Sequence, residues 1–410
     1  MEEVAVTGVA AGGDGVGRLA DGRAVFVRGA IPGDTVRVDV DEHKARFARG
    51  RAVEVVAAGP GRIAPPCPRV ADGCGGCDWQ HVDHPTQRSL KARIVTDALT
   101  RVGRLDAAAI PEVDPGPDLP AAGYRTTVRV GVTADGGAAF HAHHGHDLVA
   151  LDPADGCLVA HPLVDELLRT ARFHGCQEAT VRAGAGTGER LVLAHPTGAE
   201  VTGVPEGVAV VGTDELDAGH RAWIHEDVGG RRFRVSARSF FQARPDGAAA
   251  LVGAAAEILG EEPPAHLVDL YAGVGLFAGL LHDRLGPMPV TAVESSASAV
   301  ADAKVNLAGL AGAKVVRADV RKWHPSPATA VVADPSRHGL GRDVVQRIAA
   351  TSAGTVVLVS CDPGALGRDA GLLVASGYEL SSVRLVDLFP HTSHVEVVTG
   401  WSHPRGRSVP

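Results

Sequence analysis

From Ser239 onward the chain alternates short apolar runs with helix-like stretches, and this alternation restricts the fold more than any other feature. PDGAAALVGAAAEIL reads as a helix and HLVDLYA as a strand; a glycine turn, a helix through Phe277 to His282 and the strand PVTAVES follow. A helix to about Ala308, the strands KVVRAD and AVVADP, a helix around Asp343 to Ala350 and the strand TVVLVSC continue the series. Such alternation builds a parallel, doubly wound sheet with ligand groups at the carboxyl ends of its strands. RLVDLFP and HVEVVTG read as two edge strands. Residues 236–410 are therefore expected to form a Rossmann-like α/β domain.

A chain of 410 residues is too long for one ordinary core. Residues 1–59 contain short alternating segments punctuated by Gly, Asp and Pro, with IPGD as a turn, and predict a small antiparallel, OB-like β-barrel. Residues 60–235 predict a central, mainly antiparallel β domain with one helix from Pro162 to about Phe173. A Gly/Pro-rich cysteine loop opens that domain. Behind the loop, Leu90, Ile94 and Leu99, with Val95 and Val102 beside them, fit an amphipathic helix over about 86–102. No apolar run approaches the ~20 residues that span a bilayer, and residues 1–15 lead with acids, so a cytoplasmic monomer is expected. The net charge of −8 supplies no global attraction to a polyanion. Local attraction has two candidates: Lys44, Arg46, Arg49 and Arg51, then Arg221, Arg231, Arg232, Arg234 and Arg238.

The chemistry-bearing residues lie at the ends of the predicted strands. Asp269, Tyr271, Gly273 and Gly275 make D-x-Y-A-G-x-G, which lacks the third glycine of a dinucleotide fingerprint. Glu294 ends the next strand, where a carboxylate accepts ribose hydroxyls, and Asp319 ends KVVRAD, placed for an adenine amine. The pattern favours S-adenosylmethionine over NAD. Cys361, the only cysteine after Cys176, follows the run VVLV in a tight Ser-Cys-Asp-Pro turn, and His394 and Glu396 come late in FPHTSHVEVV. A thiol, a cofactor turn and a late carboxylate suit covalent attack on a substrate that then receives a group. Cys67, Cys74 and Cys77, with Cys157 far downstream, supply four thiolates for a [4Fe-4S] cluster or a tetrahedral zinc, and spacing leaves the two open. Cys176 reads as a small buried hydrophobe. His141, His143, His144 and His146 lack an HExxH partner and read as exposed or RNA-facing loop residues.

Together these residues resemble the class I S-adenosylmethionine-dependent RNA uracil-5 methyltransferases, in the form with a TRAM domain and an iron-sulfur cluster. The resemblance covers almost the whole chain. It implies a TRAM barrel that binds RNA, a [4Fe-4S] cluster on Cys67, Cys74, Cys77 and Cys157, and a cofactor site containing Gln242, Tyr271, Gly273, Glu294, Asp319 and Asp334. It further implies that Cys361 is the nucleophile and Glu396 the base, and that the helix over about 86–102 packs on the catalytic domain. The expected target is a 23S rRNA uridine, with the tRNA T-loop uridine and a non-catalytic RNA-binding or ribosome-assembly role as the alternatives. Three positions depart from the family pattern: Arg244 replaces an Asn, Ser336 a Pro and Asp362 an Asn.

Overall fold

The computed structural model describes residues 1–143, 145, 147–198 and 200–404. His144 and His146 thus lie outside the described residues. The N-terminal sheet has the order Glu2–Ala5, Thr35–His43, Phe47–Ala57, Ala24–Arg28, Gly15–Arg18, Gly8–Val9. The chain bends between its first two strands and Thr7 N donates to Val16 O at 2.8 Å, so the sheet's ends meet as a barrel. Strand alternation turns Val4, Val25, Val27, Val36, Val38 and Ala48 inward. One pairing is not antiparallel: Ala24–Arg28 runs parallel to the first half of Phe47–Ala57.

The same register changes the meaning of the first basic cluster. Lys44 pairs with Glu42 at 2.9 Å, Arg49 with Asp14 at 3.3 Å and Arg51 with Asp39 at 3.2 Å. Of the four cations, Arg46 alone has no ion pair among the described residues.

The central sheet runs Leu148–Ala150, Ala138–His141, Thr127–Val132, Glu178–Ala183, Arg190–His195, Ala209–Gly212, antiparallel except for its last pair. Helix Pro162–Thr170 buries Val164, Leu167 and Leu168 against it. Two stretches of residues 60–235 pack elsewhere. Helix His84–Asp97, continued by a π-helical turn at Ala98–Val102, sends Leu90, Ile94, Val95 and Leu99 into the core of the C-terminal sheet, while Val102 stays exposed. The hairpin Trp223–Val228/Arg231–Ser236 joins that sheet's other core through Ile224, Val228, Phe233 and Val235. Its arginines serve this packing: Arg231 pairs with Asp283 and Arg234 with buried Asp302, both at 2.7 Å. Arg232 and Arg238 pair with Asp227 and Asp217 at 2.9 and 2.5 Å. The second basic cluster is therefore largely structural.

The C-terminal sheet has the order Ala313–Arg317, Val290–Glu294, Leu267–Leu270, Ala330–Ala333, Thr355–Ser360, Val397–Ser402, Glu379–Leu385, Val113–Asp114. The first five strands are parallel, as the alternation requires. Val397–Ser402 is not an edge strand: it lies antiparallel between Thr355–Ser360 and Glu379–Leu385. A helix unforeseen from the sequence, Pro363–Ala375, follows Cys361. Among the described residues no helix is long and apolar enough to cross a membrane.

Candidate active site

Strand order converts distant sequence positions into neighbours. The carboxyl ends of the parallel strands lead into Tyr271, Glu294, Asp319, Asp334 and Cys361 along one edge. Glu396 precedes an antiparallel strand, and Ser360 pairs with Val397, so Glu396 starts at that same edge beside Cys361.

The turn after Leu267–Leu270 is built for close approach. Tyr271, Gly273 and Gly275 take φ values of +61°, +54° and +90°. For tyrosine that left-handed backbone costs about 1–2 kcal/mol, whereas glycine adopts it freely. A Cβ at Gly273 would meet nothing within 4 Å, so the space before the turn is open to a ligand. Glu294 locks the turn: Oε2 accepts Gly273 N at 2.9 Å, and Oε1 accepts Ser295 N and Ser296 N, both at 2.7 Å. A carboxylate has about four acceptor positions, so Oε2 keeps room for a ligand hydroxyl. Asp319 is less free. Arg321 contacts it through Nε at 3.1 Å and Nη2 at 2.6 Å, and with its own amide holds the carboxyl down at about 2.

The reacting groups form a second cluster. Cys361 is half-buried, and burial together with Glu396 and Asp334 pushes its thiol up to about 12, with Arg337 pulling the other way. Glu396 is buried, and desolvation beside Asp334 lifts its carboxyl well above the usual range. Asp334 is itself raised to about 7 by burial, although Gln242 Nε2 donates to its Oδ2 at 3.3 Å. Two carboxyl groups whose charged forms are disfavoured thus lie near the thiol. Gly12 of the barrel, Gly75, Gly76 and Asp78 of the cysteine loop, His143, Arg337, Cys361 and Thr392–Val395 line one cleft of about 300 Å³. Asp78 and Gly76 were not foreseen there; their proximity to Cys361 depends on tertiary packing alone.

The departures at 244 and 362 have local explanations. Asp362 Oδ1 accepts Ala365 N at 2.7 Å and caps helix Pro363–Ala375, a task Asn performs equally well. Arg244 is buried, lies 4.5 Å from the Tyr124 ring centroid and donates to Asp387 O and Pro120 O. Ser336 sits in an exposed turn, its carbonyl accepting Gly339 N at 2.8 Å.

Cys67, Cys74, Cys77 and Cys157 line one cavity of about 260 Å³, together with Arg69, Arg125 and Arg129. Burial pushes the Cys77 thiol up to about 12 and raises those of Cys74 and Cys157. The thiols converge without closing into a ligand set: among the described residues no group of three or more Cys, His, Asp or Glu side chains is placed to hold a metal ion. Cys176 stands apart, half-buried, its thiol 3.2 Å from Thr197 O.

The TRAM domain family model matches residues 1–53. The chain is 36% identical to a Streptomyces avermitilis protein described as an uncharacterized RNA methyltransferase, covering 97% of this chain and 96% of that one. A Streptomyces coelicolor protein described in the same words is also 36% identical, over 97% of this chain and 91% of its own length. The crystal structure of Pyrococcus abyssi tRNA (uracil-54, C5)-methyltransferase, solved with S-adenosyl-L-homocysteine, superposes with a TM-score of 0.72 at 22% identity, covering 97% of this chain and all of that one. The fold is that of an RNA uracil-5 methyltransferase, and the chain belongs to the TRAM-containing RNA methyltransferase family.

Proposed function

We propose that this protein methylates C5 of a specific uridine in RNA, with S-adenosylmethionine as the methyl donor and 23S rRNA as the target. The observation that carries this reading is the convergence of Cys361, Glu396 and Asp334 at the strand edge that also carries the open glycine turn. When bound, S-adenosylmethionine would supply an electrophilic methyl group, and the open turn at Gly273 and the Glu294 carboxylate are the groups that would hold it. Uracil C5 is a poor nucleophile until a thiolate adds to C6. Cys361, having given its thiol proton to solvent, forms that C–S bond as the C5–C6 double bond becomes an enolate. C5 then takes the methyl group, whose bond to the donor sulfur breaks and leaves S-adenosylhomocysteine as a neutral thioether. Glu396 then receives the C5 proton, the C–S bond breaks and the thiolate leaves. Arg337 lines the same cleft, and Asp334 lies close enough to raise the Cys361 thiol, so the two are placed to orient the uracil edge and offset developing charge.

A cytosine-5 enzyme commonly uses two cysteines, whereas Cys361 is the only cysteine lining this cleft among the described residues. Purified protein, labelled S-adenosylmethionine and undermodified RNA should yield 5-methyluridine on digestion to nucleosides. Cys361→Ala should abolish turnover, and Glu396→Gln should accumulate a protein–RNA adduct on a denaturing gel. Absence of label from both rRNA and tRNA would overturn the reading, as would 5-methylcytidine as the product. The choice of 23S rRNA rests on resemblance to the branch containing many rRNA enzymes. Mapping 5-methyluridine in cells with and without the gene decides it, and loss only in the tRNA T-loop would reject rRNA.

The four-thiol cavity is proposed to hold a [4Fe-4S] cluster in a structural role. The preference for a cluster over zinc comes from the family resemblance, because four thiolates suit either. Arg69, Arg125 and Arg129 line the same cavity and would offset the negative charge of such a cluster. Anaerobically purified protein should be brown with stoichiometric iron and sulfide; colourless protein with one zinc would refute the assignment.

A further inference from the structure

The cysteine loop and the segment that carries Glu396 are joined more closely than their sequence separation of some three hundred residues suggests. Immediately after Cys77, Asp78 Oδ1 accepts Ser393 N at 2.9 Å. The next residue, buried Trp79, donates its amide to His391 O at 2.9 Å and its indole Nε1 to Gly13 O at 3.1 Å. Gln87 completes the contact: Nε2 donates to Trp79 O and Val82 O, and Oε1 accepts His391 N at 2.7 Å. Directly after Trp79, Gln80 Oε1 accepts Cys67 N at 2.9 Å and ties the stretch back to the first cysteine of the loop. A short rigid path thus runs from the four-thiol cavity, through Asp78 and Trp79, to Ser393, three residues before Glu396.

His391 at the middle of this contact takes φ of +66°, a backbone that an L-residue holds only when its surroundings enforce it. Its enforcement comes from Trp79 on its carbonyl and Gln87 on its amide. Asp78 also faces the Cys361 cleft, so its bond to Ser393 fixes one wall of the site as well as the approach to the base.

We propose that Asp78 is a positioning residue that makes the four-thiol loop a support for Glu396. This rests on Glu396 acting as the base in the reading above. Cys361 directly follows a separate element, the strand Thr355–Ser360, whereas the Asp78 carboxylate bonds the segment that leads to Glu396. Loss of Asp78 therefore impairs proton removal from C5 more than addition at C6, and covalent adduct builds up.

The test compares wild type with Asp78→Ala and Asp78→Asn in the full-length, cluster-loaded protein. Amide hydrogen exchange over residues 389–396 should accelerate about tenfold in Asp78→Ala, the loss of one partly buried hydrogen bond, while strand Thr355–Ser360 keeps its protection. Protein–RNA adduct should accumulate as release slows by about the same factor. Asp78→Asn retains the Oδ1 acceptor and should restore both measures. Unchanged exchange over 389–396 in Asp78→Ala overturns the proposal. So does an Asp78→Asn variant as impaired as the alanine, or a loss of adduct formation in step with release. The exchange measurement needs no methyl transfer: a wild type that transfers none refutes the assigned function, while exchange still decides whether Asp78 holds the segment.

Discussion

Arg321 and Asp269 are two residues whose partners in the structure imply measurable behaviour. The Asp319 carboxylate is already occupied by Arg321, so an adenine amine reaches it only in competition with a guanidinium. Arg321→Ala should tighten S-adenosylmethionine binding by up to about fivefold, the worth of an exposed ion pair, and Asp319→Asn should weaken it. Calorimetry showing unchanged affinity in both would remove Asp319 from adenine contact. Asp269 is fully buried: Oδ2 accepts Ala278 N at 3.0 Å, Oδ1 has no partner among the described residues, and burial pushes the carboxyl from 3.8 up to about 8. Because the folded state holds this proton more tightly than the unfolded chain, the group's contribution to stability is complete below 3.8 and is lost as pH rises through about 8. Asp269→Asn removes that titration. Its melting temperature should gain on wild type between about pH 5 and about pH 9, and a constant difference would mean an ordinary carboxyl at this position.

Helix His84–Asp97 is the element on which the catalytic edge depends most. Its buried Lys91 donates to Asp387 Oδ1 at 2.7 Å and Phe389 O at 3.0 Å, and His84 reaches Asp387 Oδ2 at 3.0 Å. Removing one member of a buried pair leaves the other uncompensated, so Lys91→Met should cost about 3 kcal/mol in denaturant unfolding. Lys91→Met with Asp387→Leu should recover much of that loss; equal destabilisation by single and double variants would assign the cost to packing instead. The helix's apolar positions were legible from spacing, but Lys91 is not readable as buried until Asp387 is placed beside it. Helix Pro363–Ala375 escaped the sequence reading for a related reason. Gly364, Gly367 and Gly371 lower its intrinsic propensity, yet a Cβ at Gly367 would stand 2.5 Å from Ala98 O. That glycine serves contact with the π-helical turn of Ala98–Val102, a tertiary demand with no local signature. The arginine clusters misled in the opposite direction, because sequence proximity revealed the cations and concealed the acids that cross-strand register and helix packing bring to them. Strand alternation and the glycine turn were legible because each is set by local pattern, whereas Glu396 was assigned as the base through family resemblance and only strand pairing brings it beside Cys361.

At the scale of the whole molecule, three regions of the chain close on one cleft. The barrel contributes Gly12, the cysteine loop Gly75, Gly76 and Asp78, and the C-terminal sheet Arg337, Cys361 and the segment Thr392–Val395. With Arg232 and Arg238 paired to acids on the surface, changing both to Ala should leave RNA affinity and its salt dependence unaltered; a flatter salt slope would return that face to the RNA interface. The cleft's volume of about 300 Å³ suits a single nucleobase rather than a stacked helix, and Cys361 is part of its lining. A paired uridine must therefore unstack and leave its helix before C6 meets the thiol, at a cost of a few kcal/mol that a loop nucleotide largely avoids. Once the target uridine is mapped, the same RNA should be methylated on the order of a hundredfold more slowly in single-turnover assays when a complementary strand pairs that uridine. Equal rates on the loop and the duplex would mean that the protein opens the helix at no net cost, and that the cleft's size does not set its preference.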